Sequence, residues 1–235
     1  MADYDLYYWP VPFRGQFIRA ILAYAGETWV EHDANEIEKM MTAAPGDQPV
    51  AFMGPPLLVD IRTGFALSEM PAIAIYLGDI LGLIPDDAAT RATTSKVVND
   101  ANDVIDEITI DGGRELWVPQ TWNEFVPRLK RWMAIWEATG VRHGLTDDEG
   151  FLLGTDKASV ADIVTSTLWS TMTGRFPVIA TMLEESAPRT AALSRRLQDV
   201  PSLKALKKES DARYGDAYCG GEIEKSLFKV AGKAP

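Results

Sequence analysis

Two neighbouring tyrosines near the start of the chain are the residues best suited to chemistry. They open the segment Y-Y-W-P-V-P-F-R-G, which runs from Tyr7 to Gly15 and contains the guanidinium of Arg14. No serine and no cysteine occurs between residues 1 and 60, so a tyrosine hydroxyl is the donor that this region offers. A phenol that donates a hydrogen bond, with a cation nearby, stabilises an anion such as a thiolate. The segment therefore predicts a site that stabilises an anion, and together with the two segments described next it is interpreted as part of a thiol-binding domain.

Two later segments carry features that a small ligand can use. One is P-P-L-L-V-D (Pro55 to Asp60), a doubled proline ahead of an apolar strand, and the other is S-E-M-P-A-I-A-I-Y-L-G (Ser68 to Gly78). A cis bond before proline exposes the backbone of the preceding residue, which can pair with an extended ligand like an added strand. A helix that begins near Met70 would present unpaired N–H groups to an anion.

The elements that must position these residues follow from the hydrophobic periodicity of the first 80 residues. The pattern predicts strands at 4–9, 28–32, 57–60 and 65–67, and helices at 16–25, 36–44 and 70–79. The order β-α-β-α-β-β-α joins a parallel crossover to a terminal hairpin. We therefore expect a four-stranded sheet with helices on its faces.

Beyond residue 85 the strand signals nearly vanish and helical spacing dominates. One apolar stripe comprises Val97, Val98, Ala101, Val104, Ile105 and Ile108, and a second, rich in aromatics, lies between Trp122 and Trp136. Ser159 can cap a later helix whose third residue is Asp162, and further helices are predicted at about 189–198 and 202–211. We expect an N-terminal domain at 1–82, a linker at 83–89 and an all-helical domain at 90–235.

The composition limits which partners the protein can bind and which cellular compartment suits it. The formal net charge of −11 argues against nonspecific binding to nucleic acid or to anionic lipid, because both need a positive surface. No run approaches the ~18 apolar residues of a membrane span, and no signal peptide is evident. The single cysteine, Cys219, excludes an intrachain disulfide and is expected to be inert. His32 and His143 have no metal-ligand spacing, so we expect no metal. The lone cysteine and the lack of a signal peptide predict a cytoplasmic protein.

Taken together, the motifs resemble those of the soluble glutathione transferases over about residues 4 to 210. Y-W-P-V-P-F-R-G resembles the Y-F-P-V-R-G opening of the tyrosine-type classes, in the pattern of the pi, alpha and sigma classes, with two extra residues. P-P-L-L-V-D resembles the V-P-x-L-x-D segment that holds the family's cis-proline. S-E-M-P-A-I-A-I-Y-L resembles [EQ]-S-x-A-I-x-x-Y-L, and S-V-A-D (Ser159 to Asp162) resembles the family's capping box. The resemblance implies a thioredoxin-like βαβαββα domain followed by an all-helical domain.

The resemblance also assigns roles within the first segment. Tyr8 aligns with the family's catalytic tyrosine, while Tyr7 would point to the opposite strand face and pack on the sheet. Arg14 matches the motif arginine, which would lower the pKa of the thiol; alternatively it is a solvated charge beside a helix start. The resemblance also implies that the second, electrophilic substrate binds in a pocket lined by Trp9, Val11 and Phe13. Alternatively, these residues only pack the loop.

For the glutathione itself, the resemblance points to the doubled proline and the start of the third helix. Counting back from Asp60 places Pro56 at the cis position, which leaves Pro55 without an N–H to donate; a cis bond at Gly54–Pro55 would preserve both backbone bonds. Glu69 aligns with the residue that meets the γ-glutamyl group. Met70 replaces the usual serine, so its backbone N–H is what remains for the ligand carboxylate.

The helical half contributes one further candidate and an expectation about assembly. Asp100 resembles an aspartate that reaches across a homodimer to the ligand's amino group; alternatively it is a solvated acid on an acidic helix. The implied function is a detoxifying glutathione transferase in which the thiolate attacks a small hydrophobic electrophile. The alternative is a non-catalytic binding protein or scaffold of the same fold.

Overall fold

The computed structural model describes residues 2–232, and its N-terminal part is built on one mixed four-stranded sheet. The strands are β1 (Tyr4–Tyr7), β2 (Trp29–His32), β3 (Leu57–Asp60) and β4 (Phe65–Ser68), in the order β2-β1-β3-β4. β1 pairs with β2 in parallel, whereas the β1–β3 and β3–β4 pairs are antiparallel. The predicted combination of a crossover and a terminal hairpin is confirmed.

Alternation along β1 separates its two tyrosines. Tyr4 and Leu6 are fully buried against the helices, and Tyr8 continues that face just beyond the strand. Tyr7 lies on the opposite face, where its ring stacks on His32 with 4.0 Å between the ring centroids. The strand ends at Tyr7 rather than at the predicted residue 9, because the chain turns and the N–H of Val11 bonds the carbonyl of Trp9.

Three α-helices complete this part: α1 (Phe13–Ala25), α2 (Ala34–Thr42) and α3 (Met70–Ile80), with a short 3-10 turn at Pro45–Asp47. α1 begins three residues before the predicted start, since the Gln16 N–H already bonds the Pro12 carbonyl. α2 also begins early, because Asp33 and Glu36 form a capping box at its N-terminus. α3 begins at Met70, as the sequence predicts.

The rest of the described chain is helical. Its helices are α4 (Ala88–Ile108), α5 (Ile110–Gly113), α6 (Pro119–Arg142), α7 (Val160–Arg175), α8 (Pro177–Ser186), α9 (Pro188–Gln198), α10 (Pro201–Tyr214) and α11 (Gly221–Ala231). The apolar stripe predicted for α4 is buried along its whole length. The fold class is therefore confirmed: a thioredoxin-like domain followed by an all-helical domain.

The start of α7 lies at the centre of the helical domain and is fixed by a buried carboxylate. Asp162 accepts hydrogen bonds from the backbone N–H and the hydroxyl of Ser159, at 2.8 and 2.7 Å, and from the N–H of Leu152 at 2.7 Å. Burial raises the pKa of Asp162 in spite of these donors. The capping role predicted for this pair of residues is confirmed, and it anchors α7 where α1 packs against it.

The two domains share one hydrophobic core, with α1 lying against α7 and α10. A buried polar contact also joins them, since the Gln16 side chain donates to the Ser210 hydroxyl at 3.0 Å. Within residues 2–232 no helix is both long and apolar enough to cross a membrane. Over the same residues no group of three or more potential metal ligands comes together.

Candidate functional site

Three strand ends meet at one edge of the sheet and define the candidate site. In the ladder Tyr7 pairs with Leu57, and Leu57 pairs in turn with Ser68. The residues immediately beyond these three are Tyr8, Pro56 and Glu69. The register of β1, β3 and β4 thus gathers three segments that lie far apart in the sequence.

Tyr8 is buried at this edge, with 4% of its surface exposed. Its hydroxyl oxygen accepts the backbone N–H of Arg14 at 3.1 Å. No acceptor for the hydroxyl's own proton lies among the residues that the structure describes. Burial raises the pKa of Tyr8 to about 12, although the nearby guanidinium of Arg14 lowers it. The phenol is therefore protonated at neutral pH and has a hydrogen bond to donate.

Arg14 lies in the first turn of α1 and makes an ion pair with the helical domain. Its Nη2 is 3.0 Å from Oδ1 of Asp106 on α4, and its guanidinium lies 5.1 Å from the centroid of the Phe13 ring. About a quarter of the Arg14 side chain is exposed. Arg14 thus contacts Tyr8 through its backbone N–H, while its guanidinium is paired with Asp106.

Arg19, one turn further along α1, holds the loop that presents Tyr8. It is buried and forms a bidentate pair with Glu31, at 2.6 and 2.9 Å. It also donates to the carbonyls of Val11 and Pro12, at 3.2 and 3.3 Å. A buried unpaired guanidinium would cost several kcal/mol, so the pair with Glu31 is essential to this arrangement. The sequence analysis missed Arg19; the available signal was a charged residue on the apolar face of α1.

The doubled proline contains the cis peptide bond at Pro55–Pro56, the first of the two alternatives. The residue before that bond is Pro55, which has a carbonyl but no N–H to offer. Pro56 is buried at the start of β3, and Leu57 follows it directly into the ladder.

Glu69 and Met70 lie where β4 passes into α3. Glu69 is exposed and has φ 74° and ψ 120°, a backbone conformation that non-glycine residues rarely adopt. Such conformations cost about 1–3 kcal/mol and concentrate at functional sites. Met70 is the first residue of α3, and its side chain is completely buried in the core. It therefore offers its backbone, and no side-chain group, to a ligand at this helix N-terminus.

The predicted pocket residues are covered by the C-terminal part of the chain. The Phe13 N–H donates to the Tyr218 carbonyl at 3.2 Å, and their rings meet edge to face with 5.4 Å between centroids. Val11 lies against Gly220. Trp9 is half-buried. In this structure Phe13 and Val11 therefore pack against the C-terminal loop.

Asp100 lies elsewhere, in a cavity of about 340 Å³ between α4 and α6. Its carboxylate is paired with Lys96 on the same helix. The cavity has an apolar wall that includes Trp132, and a rim of four carboxylates and two cations, Lys96 and Arg128. The cavity adjoins Arg14 through Asp106. It therefore lies next to the candidate site, although Tyr8 does not line it.

The C-terminal loop at Tyr218–Gly220 and helix α11 also escaped the sequence analysis. The signal for α11 was apolar residues at positions 223, 227 and 231, four apart, after Gly220-Gly221. Glu224 of this helix accepts the backbone N–H groups of Tyr218, Cys219 and Gly220, at 2.7, 2.9 and 2.7 Å. One carboxylate thus fixes the loop that covers Phe13. Burial raises the pKa of the Cys219 thiol to about 12, so this sulfur is not a thiolate at neutral pH.

Comparison with solved structures places this architecture among known folds. NaGST-2 superposes with a TM-score of 0.70 at 22% identity, over 88% of this chain and 97% of the other. A Pi-class glutathione S-transferase of Onchocerca volvulus gives 0.73 at 16% identity, over 94% and 98%. Prostaglandin synthase D of Nilaparvata lugens gives 0.65 at 20% identity, over 88% and 97%. The fold is that of the two-domain transferases with a thioredoxin-like first domain.

Sequence comparison then defines the family. The model of the glutathione S-transferase C-terminal domain matches residues 93–230, more than half of the chain. A search of curated proteins found no match. The chain belongs to the glutathione S-transferase family, whose members use glutathione as co-substrate.

Proposed function

We propose that this protein is a glutathione transferase of the tyrosine type, in which Tyr8 donates a hydrogen bond to the glutathione sulfur. The observation that carries the proposal is the Tyr8 hydroxyl, which is buried, protonated and without an acceptor for its proton among residues 2–232. A thiol of pKa about 8.5 is only a few per cent ionised at pH 7. A donor that strengthens its bond as negative charge develops makes the thiolate more abundant and lowers the barrier to attack.

In this proposal the rest of the glutathione lies along the sheet edge. The cysteinyl part pairs with the backbone beside Pro56, where Pro55 supplies a carbonyl. The γ-glutamyl carboxylate lies at the N-terminus of α3, with the N–H of Met70 and the strained backbone of Glu69. Arg14 adds positive charge beside the sulfur. No metal takes part.

The second substrate is proposed to be a small hydrophobic electrophile held by the loop that carries Trp9, Val11 and Phe13. This loop adjoins the cavity between α4 and α6 through the pair of Arg14 and Asp106.

The decisive experiment compares Tyr8→Phe with Tyr7→Phe in the conjugation of glutathione to a chromogenic electrophile. Removal of the Tyr8 hydroxyl should lower kcat/KM about 10- to 100-fold, since a hydrogen bond to a charged group contributes about 1.5–3 kcal/mol. Tyr7→Phe is the matched control, because the Tyr7 ring stacks on His32 on the other face of the sheet. Equal rates for Tyr8→Phe and the wild type would remove Tyr8 from the mechanism.

A second candidate function is non-catalytic binding of glutathione or of a hydrophobic ligand. Two observations favour it: position 70 is a buried methionine where the family usually has a serine, and the C-terminal loop covers Phe13. Calorimetric titration with glutathione, combined with the conjugation assay, separates the two functions. Binding without turnover would identify the binding protein, and absence of both would favour a scaffold.

We also propose a cytoplasmic homodimer. Members of the family are typically dimeric, and Asp100 on α4 would then reach the ligand bound by the partner subunit. A single cysteine and a net charge of −11 suit a reducing compartment away from anionic surfaces.

A further inference from the structure

Arg19 is a charged residue of the core that lies directly beside the Tyr8 ring. Its side chain is 2% exposed, and its Cζ lies 5.8 Å from the centroid of that ring. Both side chains border Gly15, where a Cβ would be 2.3 Å from Cδ1 of Tyr8 and 2.9 Å from Nη1 of Arg19. The guanidinium therefore approaches the phenol through its Nη1 atom.

The three nitrogens of this guanidinium have different partners. Nε and Nη2 donate to the two carboxylate oxygens of Glu31 on β2, at 2.6 and 2.9 Å. Nη1 donates instead to the carbonyls of Val11 and Pro12, at 3.2 and 3.3 Å. The paired edge of the guanidinium thus faces β2, and its remaining nitrogen faces the loop between Tyr8 and α1.

Both members of this ion pair are charged at neutral pH. Burial disfavours each charge, but the hydrogen bonds and the mutual attraction outweigh it, so the pKa of Arg19 is raised and the pKa of Glu31 is lowered. A permanent positive charge therefore lies beside a buried phenol, where charges interact more strongly than in water. Burial raises the pKa of Tyr8, and Arg14 and Arg19 both oppose that rise.

We propose that Arg19 is a positioning residue for the reaction, which fixes the Tyr8 loop and strengthens the hydrogen bond from the Tyr8 hydroxyl to the glutathione sulfur. This inference rests on the proposed function. A cation beside a phenol makes the O–H a stronger donor, and its bond to a thiolate is strengthened accordingly. Arg19 acts through Tyr8 and keeps its own protons. Glu31 sets the size of the effect, because it neutralises part of the charge.

The first test is a double-mutant cycle in the conjugation assay between Tyr8 and the pair of Arg19 and Glu31. The pair is removed as Arg19→Met with Glu31→Gln, so that neither charge is left buried and unpaired. We expect kcat/KM to fall at least about threefold in the presence of Tyr8, and to change little further in the Tyr8→Phe background. Equal losses in both backgrounds would show a merely structural role and overturn the proposal.

The second test is a pH titration of the thiolate absorbance of bound glutathione, which distinguishes charge from structural damage. Removal of the pair should raise the thiol pKa by about half a unit, a threefold loss of thiolate. Glu31→Gln alone should lower it, because the charge of Arg19 is then no longer neutralised, although this variant loses stability. A thiol pKa that rises in Glu31→Gln would overturn the role of Arg19.

The matched control removes an ion pair in the helical domain. Arg189→Met with Glu137→Gln breaks a contact of 3.2 Å between α9 and α6. The carboxylates of the two pairs are similarly buried, since the side chains of Glu137 and Glu31 are 14% and 11% exposed. We expect the control to lose stability in thermal unfolding and to leave the thiol pKa at the wild-type value. A thiol pKa that shifts in the control as it does in the Arg19 variants would also overturn the proposal.

The outcomes separate this inference from the proposed function. A wild-type protein that does not bind glutathione, or does not lower its thiol pKa below about 8.5, overturns the proposed function and the role of Arg19 together. A thiol pKa that responds to Tyr8→Phe but stays at the wild-type value when Arg19 and Glu31 are replaced overturns the role of Arg19 alone.

Discussion

At the scale of single residues, the position of the Tyr8 ring depends on Gly15, which has no side chain. Gly15 lies beneath the Tyr8 ring, and a Cβ at this position would be 2.3 Å from Cδ1 and 2.7 Å from Cγ of that ring. It would also lie 2.9 Å from Nη1 of Arg19. Real contacts are not this short, so only glycine allows the ring and the buried guanidinium to approach α1 together.

We therefore expect Gly15→Ala to impair the site directly. The substitution should destabilise the protein by about 1–3 kcal/mol through overpacking, and it should lower the conjugation rate by displacing the Tyr8 hydroxyl. Urea denaturation and the conjugation assay measure the two effects. The matched control is Gly174→Ala in α7, where a Cβ meets nothing within 4 Å.

That control should be neutral or stabilising by about 0.5–1 kcal/mol, the usual gain of alanine over glycine inside a helix. A Gly15→Ala protein with wild-type stability and rate would show that the Tyr8 ring has more freedom than its packing indicates.

At the scale of elements, the sequence predicted the sheet and its helices better than their ends. The strands and α3 follow from alternation and apolar spacing, and they lie where expected. The start of α1 was missed because Pro12 and Phe13 begin a helix without a capping side chain, and Phe13 has φ 23°. The C-terminal loop at Tyr218–Gly220 was missed because Glu224 holds it through three backbone N–H groups. Hydrophobic periodicity gives no signal for such contacts.

A histidine joins three of these elements and makes the stability of the sheet edge depend on pH. His32, at the end of β2, bonds Asp5 of β1 at 2.9 Å and Glu36 of α2 at 3.0 Å. Burial lowers the pKa of His32, but the two carboxylates outweigh it and the net shift is upward. Stabilisation from the charged pair is thus fully present below the unfolded pKa of about 6.5 and is lost as pH rises through the folded pKa.

We expect His32→Gln to remove this dependence. The free energy of unfolding of the wild type should exceed that of the variant by more at about pH 5.5 than at about pH 8.5, as measured by urea denaturation at both values. Loss of stacking on Tyr7 affects both values alike. Asp5→Asn should also reduce the pH dependence, and a pH-independent difference in both variants would contradict the ion-pair interpretation.

At the scale of the whole molecule, the candidate site is bordered by residues of both domains. Tyr8, Pro56 and Glu69 come from the sheet edge, whereas Asp106 and Tyr218 come from the helical domain. The sequence predicted the first group, because short motifs carry those residues. It did not predict Tyr218, since the contact spans about two hundred residues of chain and is created only when α1 packs on α7 and α10.

At this scale we predict that the chain forms a homodimer. Light scattering on the purified protein should give a mass about twice the 25.9 kDa of one chain. Closed twofold symmetry is the commonest arrangement of soluble oligomers. A mass of one chain would remove the proposed role of Asp100 in the partner's site and leave that of Tyr8 untouched.

The hydrogen bonds between Glu224 and the 218–220 loop have a consequence for hybrids made by exchanging domains between related proteins. A hybrid that joined the first 82 residues to a foreign helical half would keep the sheet, the doubled proline and Tyr8. It would lack the Tyr218–Gly220 loop over Phe13, and also Arg175 and Phe176, which hold that loop in place. Recombination at the interdomain junction would therefore yield a folded protein in which water reaches the Tyr8 hydroxyl. A hybrid would exclude water only if it carried the loop together with Arg175 and Phe176.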